Sequence, residues 1–384
     1  MRPWVFGCFI VLLISSLLFA GCTGTNTHDT GPVDGPVVTI TDDFGRDVTI
    51  PASINRIICS GSSCIRYIVY MDAENLLAAA NSGTETNSTT TREDRPYILA
   101  NPQFSDLPSI GSSDTTENLE QIMVINPQVI IMLGSASTNE TGATAASADT
   151  LQARTGIPVV TVASGSILTD EGWEQIFTSF RSMGKILDRK ERAEELIAYT
   201  KATLADLKER TKDIPDSELR SAYVGGLGHG GAHGITSTQP QYPPFEWTRV
   251  KNIAGEYDLQ YVEFSKESLI FADPEYVFLD ANTLSVTDGI GGFDDIKSPV
   301  FADMNAIRND NVYAIFAYNH GSTNIETVLA DTYFIGKTVY PDRFADIDPK
   351  EKADEIFTMF VGRPVFNQLN ANCNNVGFAP VPVK

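Results

Sequence analysis

Two stretches of this chain repeat one another. The run from Asn118 through Glu120, Asn126 and Pro127 to Val129-Ile130-Ile131 aligns without gaps with the run from Ser265 through Glu267, Asp273 and Pro274 to Tyr276-Val277-Phe278. The acid-to-proline interval is seven residues in both, and the copies are offset by 147. Each reads as a short helix opened by an acid, which the helix dipole favours, then stopped by a proline and followed by a buried strand. One copy would be structural punctuation. Two copies flanking a long charged amphipathic run argue for two similar lobes.

The surrounding pattern is alternating α/β. Val37 to Pro51 reads as a hairpin around Asp42-Asp43-Phe44-Gly45-Arg46, and Arg56 to Cys59, a small polar loop and a helix from Ile65 open a parallel unit. Further strands are expected at Val129–Leu133 and Val159–Val162, with a helix at 148–155 between them. The amphipathic run from Gly172 to Lys212, even broken near Leu187-Asp188, is far longer than a crossover helix. The pattern resumes at Ser221–Val224 with a Gly-rich loop, a helix near Arg249–Ala254, strands near 276–279 and 311–316, and helices at 325–340 and 349–360. The fold class is α/β, two Rossmann-like lobes joined by a long linking α-helix. The expected divisions are 1–21 leader, 22–36 tether, 37–170 N-terminal lobe, 171–214 linking helix, 215–361 C-terminal lobe and 362–384 tail.

The 384 residues carry a net charge of -21, a surface that repels phosphate backbones, so nucleic acid is not an expected partner. Val5 to Ala20 is nearly continuous apolar sequence, short of the roughly 20 residues a spanning helix needs, and fits a secretory signal. It runs into Leu18-Phe19-Ala20-Gly21-Cys22, which resembles a lipobox with Phe19 where Leu is usual, so Cys22 is the expected lipidation site and membrane anchor. An uncleaved helical anchor is the rival; both place the bulk outside the cell. Sequons at Asn87 and Asn139 are weak glycosylation signals. Cys59, Cys64 and Cys373 form no disulfide framework; Cys59 and Cys64 are expected to be a structural thiol pair, and no metal is assigned.

The hairpin and first strand, the doubled Glu/Pro signature and the long linking run together resemble the helix-linked (class III) solute-binding proteins of ABC importers, which carry ferric siderophores, haem and vitamin B12. The resemblance covers roughly Val37 to Tyr340. It implies a non-enzymatic, cofactor-free monomer that captures a small-molecule iron chelate or corrinoid and delivers it to an ABC permease and its ATPase. It also implies that Glu120 and Glu267, one per lobe, dock on permease arginines.

A ligand between lobes is expected to touch the loops ending each lobe's first strand. In the first lobe these offer Ser60, Ser62, Cys64 and Arg66; in the second, the run Gly225 to Gly234 with His229 and His233. The aromatic segment Tyr242, Phe245 and Trp247, together with Tyr318 and His320, suits a planar macrocycle or aryl chelate, although core packing explains Phe245 and Trp247 equally well. Arg92, Arg95 and Tyr97 lie where cations would meet an anionic chelate. Two rivals stand beside this reading. A binder of bare metal ions would use His229, His233 and His320 with a carboxylate. An exported α/β enzyme finds no nucleophile elbow, metalloprotease His pair or paired-carboxylate motif here, and no catalytic residue is assigned.

Overall fold

The computed structural model describes residues 35–61, 64–81, 93–111, 118–134, 144–229, 231–285 and 291–383. The leader, Cys22, both sequons, Ser62 and Arg92 lie outside them. Among the described residues no helix is long and apolar enough to cross a membrane.

The hairpin β1 (Val37–Thr41)/β2 (Asp47–Pro51) leads into an N-terminal sheet. That sheet contains β3 (Ile57–Ser60), α1 (Cys64–Tyr70), β4 (Leu77–Ala80), α2 (Pro96–Leu99), α3 (Leu119–Ile125), β5 (Val129–Gly134), α4 (Ala145–Thr155) and β6 (Val159–Ala163), with parallel strand order β4-β3-β5-β6. β3, β5 and β6 are buried at every position, as continuous apolar runs must be in a parallel sheet covered on both faces. The hairpin turn is pinned to this sheet by Asp42. One of its carboxylate oxygens accepts from the backbone of Phe44 and Arg46, the other from the Thr161 hydroxyl at 2.7 Å and the Arg46 guanidinium at 2.9 Å.

The run expected as one linking helix is two antiparallel helices, α5 (Asp170–Ile186) and α6 (Lys190–Thr211). Asp188, in the left-handed region at φ 54°, makes the break. The turn closes because Gly184 has no side chain: a Cβ there would meet the Ala193 Cβ at 2.8 Å. Arg181–Glu194 and Lys201–Glu174 tie the pair across its outer face. α5 packs on β6, and α6 carries the chain to the second lobe.

That lobe runs β7 (Ser221–Gly225), β8 (Ser237–Thr238), α7 (Pro243–Thr248), β9 (Lys251–Asn252), β10 (Val262–Glu263), α8 (Lys266–Ala272), β11 (Tyr276–Asp280), α9 (Gly292–Asp295), α10 (Asn305–Arg308), β12 (Val312–Ile315), α11 (Ile325–Val339), α12 (Pro349–Val361), α13 (Phe366–Asn372) and β13 (Ala379–Pro380). The sheet order is β13-β12-β11-β7-β9. The repeat places α3-β5 and α8-β11 in register, so 4-3-5-6 of the first lobe corresponds to 9-7-11-12 of the second. Even the caps match. The Asn118 and Ser265 side chains accept the N3 amides of α3 and α8, and left-handed Asn126 and Asp273 end those helices before their prolines.

Two expectations are corrected. The helix placed near Arg249–Ala254 lies instead at Pro243–Thr248, because paired prolines suit a first helical turn and left-handed Arg249 ends it. Residues 362–384 are no tail. α13 buries Phe366 and Leu369, β13 pairs antiparallel with β12, and Phe378 stacks on Phe334 at 4.5 Å. This segment also returns to the first lobe alongside α12: α12 packs on α1, α13 on α2, and the Asn372 amide donates to the Glu93 carbonyl at 2.7 Å.

Candidate functional site

Between the lobes lies a cleft of about 1070 Å³. Its walls are loops at the carboxyl ends of strands, where open α/β sheets hold ligands. The loop after β6 (Ser164–Leu168) and Asp94 come from the first lobe; loops after β7, β11 and β12 and the segment Asp258–Tyr261 come from the second. Among the described residues the lining contains no Arg or Lys. Its polar groups are amides, hydroxyls, two carboxylates (Asp94 and Asp258) and two imidazoles.

Several of these groups are held by partners. The Tyr318 hydroxyl donates to Gln239 Oε1 at 2.6 Å; burial first, then neighbouring Tyr261, keeps that phenol protonated well above the usual range. The Asn319 amide donates to the Gly228 carbonyl and to the Tyr261 hydroxyl. A Cβ on Gly228 would fall 1.6 Å from the Asn282 amide nitrogen, so a larger residue there would turn Asn282 away. His320 Nδ1 meets Asp94 Oδ1 directly across the cleft, so this pair joins the lobes.

Of the residues expected at the cleft, His229, Tyr318 and His320 line it, and His233 stands behind His229 with its ring stacked at 4.2 Å. The others are elsewhere. Ser60 is fully buried at the end of β3. Cys64 forms a disulfide with Cys59, so the thiol pair is a bridge. A Cβ on Gly61, at φ 105°, would strike the Leu133 carbonyl at 2.7 Å. Among the described residues the first lobe lines the cleft through Asp94 and the loop after β6, not through Ser60, Cys64 or Arg66.

Arg66 is buried between the lobes rather than in the cleft, donating to the Gly321 carbonyl and Asn324 Oδ1 at 3.3 and 3.4 Å. Beside it Tyr70 donates to Glu326, and burial raises the pKa of both groups. Arg95 is claimed by Glu93 through two contacts at 2.7 and 2.8 Å rather than offered to an anionic chelate. Tyr97, Tyr242 and Phe245 are core residues, and Trp247 packs on Trp173 at 5.9 Å. Sequence reasoning missed Asp94, Gln239 and the Ser164-Gly165-Ser166 loop. The last was legible, as a small polar loop closing an apolar strand. Glu120 and Glu267 are both exposed at equivalent positions on α3 and α8.

A two-lobed α/β molecule with its site between the lobes is the architecture of a binding protein. The chain matches the periplasmic binding protein family over residues 60–318 and belongs to it. It is a solute-binding protein of an ABC importer, and the Cys59–Cys64 disulfide fits an extracytoplasmic setting. It is 21% identical to the uncharacterized ABC transporter substrate-binding lipoprotein YvrC of Bacillus subtilis, over 88% of this chain and 98% of that one. It is 23% identical to the Fe(3+)-citrate-binding protein YfmC of Bacillus subtilis, over 79% and 86%. The molybdate-bound structure of MolA from Haemophilus influenzae superposes with a TM-score of 0.62 at 18% identity, covering 85% of this chain and 98% of that one. The family and these relatives are transport components rather than enzymes.

Proposed function

We propose that this protein, anchored outside the cell through lipidated Cys22, captures a large neutral or cationic metal chelate, of the hydroxamate or corrinoid kind, and delivers it to its permease. The observation that carries the reading is the cleft's composition: about 1070 Å³ walled by amides, hydroxyls and carboxylates, with no described Arg or Lys. A bare ion needs a few ligands, not a volume at the upper end of small-molecule pockets, roughly 300–1,000 Å³. An oxyanion, a catecholate chelate or haem propionates would call for cationic or bidentate donors, and Arg66 and Arg95 are engaged elsewhere. The carboxylates of Asp94 and Asp258 oppose a second negative charge. YfmC and MolA are named for anionic solutes, so this chain departs from them in its choice of ligand.

Delivery rests on the repeated helices. Glu120 is followed by exposed Met123 and Val124, and Glu267 by exposed Ile270 and Phe271, with Phe271 92% exposed. The same acid-plus-apolar pattern on both lobes suits a permease of two equivalent halves, where charge pairs set register.

Purified, chelator-treated protein titrated with ferric hydroxamate, cobalamin, ferric citrate, haem and molybdate, read by tryptophan fluorescence, tests the reading. Saturable binding of the hydroxamate or the corrinoid is expected; preference for molybdate or citrate would overturn it. Glu120→Arg with Glu267→Arg should abolish uptake while leaving solute affinity intact. Normal uptake by that double variant would sink the docking assignment.

A further inference from the structure

Two leucines line the solute cleft, one from each lobe, and both are exposed: Leu168 at 37% and Leu259 at 60%. Solvated aliphatic side chains scattered singly over a surface need no explanation. These two stand together at one ligand site, among mostly polar neighbours.

Both are presented by anchored backbone. Leu168 closes the loop after β6, and its amide donates to Ser166 Oγ at 3.2 Å. Next to it Thr169 caps α5, its hydroxyl accepting from the Gly172 amide at 3.0 Å. The loop and the first turn of α5 meet backbone to backbone: a Cβ on Gly165 would strike the Gly172 carbonyl, and one on Gly172 the Ser166 carbonyl. Such close approach requires glycine and leaves the loop little room to turn Leu168 inward. Leu259 is held from both sides. Two residues before it, the Tyr257 carbonyl accepts from Gln241 Nε2 at 2.8 Å, and the Tyr257 ring meets Phe264 edge-on at 6.0 Å. Two residues after it, Tyr261 stacks on His229 at 4.8 Å and its hydroxyl accepts from the Asn319 amide at 3.3 Å. The bridge between these anchors, Asp258-Leu259-Gln260, stays exposed along the cleft.

An aliphatic side chain held out of the core by fixed backbone gains free energy only when something apolar covers it. We infer that Leu168 and Leu259 are specificity-determining contacts for hydrocarbon substituents on the rim of the bound chelate. The preferred solute is then a neutral hydroxamate bearing alkyl or acyl chains, rather than a small hydrophilic one. The inference rests on chelate capture and adds to it the part of the solute that charge does not distinguish. Amides and hydroxyls of the cleft suit the chelate's oxygens; the leucines suit its chains. Covering one such leucine tightens binding by roughly tenfold.

Calorimetric titration of the full exported chain with two neutral ferric trihydroxamates, identical but for acetyl or hexanoyl substituents, tests it. The parent should bind the hexanoyl chelate about tenfold more tightly. Leu168→Ser and Leu259→Ser should each cut that preference by about threefold, and the double variant should lose it. Val300→Ser, at an exposed apolar position outside the cleft lining, should keep the parent's preference. Equal affinity of the parent for both chelates, or an undiminished preference in the double variant, overturns the inference while leaving capture standing. Leu259→Ser alone carries the test where Leu168→Ser lowers the melting temperature. If the parent binds neither chelate, capture falls, and Nile red, a neutral dye that fluoresces in apolar sites, decides for the leucines. Fluorescence in the parent that is lost in the double variant supports them as hydrocarbon contacts; equal fluorescence in both overturns them.

Discussion

The two lobes share a four-strand order and a capped helix, yet they contribute unequally. Among the described residues the first gives the cleft Asp94 and the loop after β6; the second gives most of the wall and both lining imidazoles. One difference between the lobes lies after each lobe's first strand. In the first lobe a disulfide closes that loop within six residues, whereas in the second it opens into a glycine-rich excursion held by short β8 and β10.

The lobes are also joined more firmly than one connecting helix implies. The Arg66 contacts, the Tyr70–Glu326 bond and the His320–Asp94 pair cross between them, and the C-terminal helices fold back on α1 and α2. Arg66→Ala removes the buried donor to the Gly321 carbonyl and Asn324 Oδ1 and should destabilise the protein by about 3 kcal/mol, the upper range for charged hydrogen bonds, in denaturant unfolding. A loss near 0.5 kcal/mol would mean that this crossing is incidental. Phe378→Ala removes a ring stacked on Phe334 and should cost about 3 kcal/mol, with both lobes melting together because the segment spans them. Separate melting of the two lobes would break the claim of a second bridge.

Cys59→Ser with Cys64→Ser opens a short loop and should cost roughly 2 kcal/mol by loop entropy, without changing solute affinity, since the bridge lies off the cleft. A matching loss of affinity would return that loop to the site. The smallest effect concerns the second lobe alone, where Asp280 and Asp331 are fully buried, each with one oxygen lacking a partner among the described residues. Burial raises both pKa values well above the carboxylate range. The folded state therefore holds protons that the unfolded state releases, and stability falls as pH rises above about 4, the ordinary Asp range. Asp331→Asn keeps the acceptor for the Phe316 amide and should flatten that fall, raising the melting temperature at pH 8 more than at pH 5.

Much of the scaffold was legible because it follows local rules. The Glu/Pro repeat specified cap, helix, left-handed stop and strand twice, and the apolar runs marked β5, β6 and β11. The C-terminal segment was lost because its apolar residues are spread among asparagines, and only the β12 edge tells β13 that it is a strand. At the cleft, strand-end logic found His229 and the β12 loop with Tyr318 and His320. It failed for Arg66 and Arg95, because residue type cannot say whether a cation is already paired; Glu93 two positions before Arg95 was the one local hint. Core aromatics such as Tyr242 and Phe245 carry the same residue types as a stacking site, and only burial distinguishes them.

The central claim is that a cleft without described cationic side chains selects solutes by charge. Calorimetric titration of chelator-treated protein with a neutral ferric hydroxamate and an anionic ferric catecholate of similar size measures this directly. At least tenfold tighter binding of the neutral chelate is predicted, with the gap narrowed in Asp94→Asn, Asp258→Asn protein. Equal or tighter binding of the anionic chelate would contradict the account.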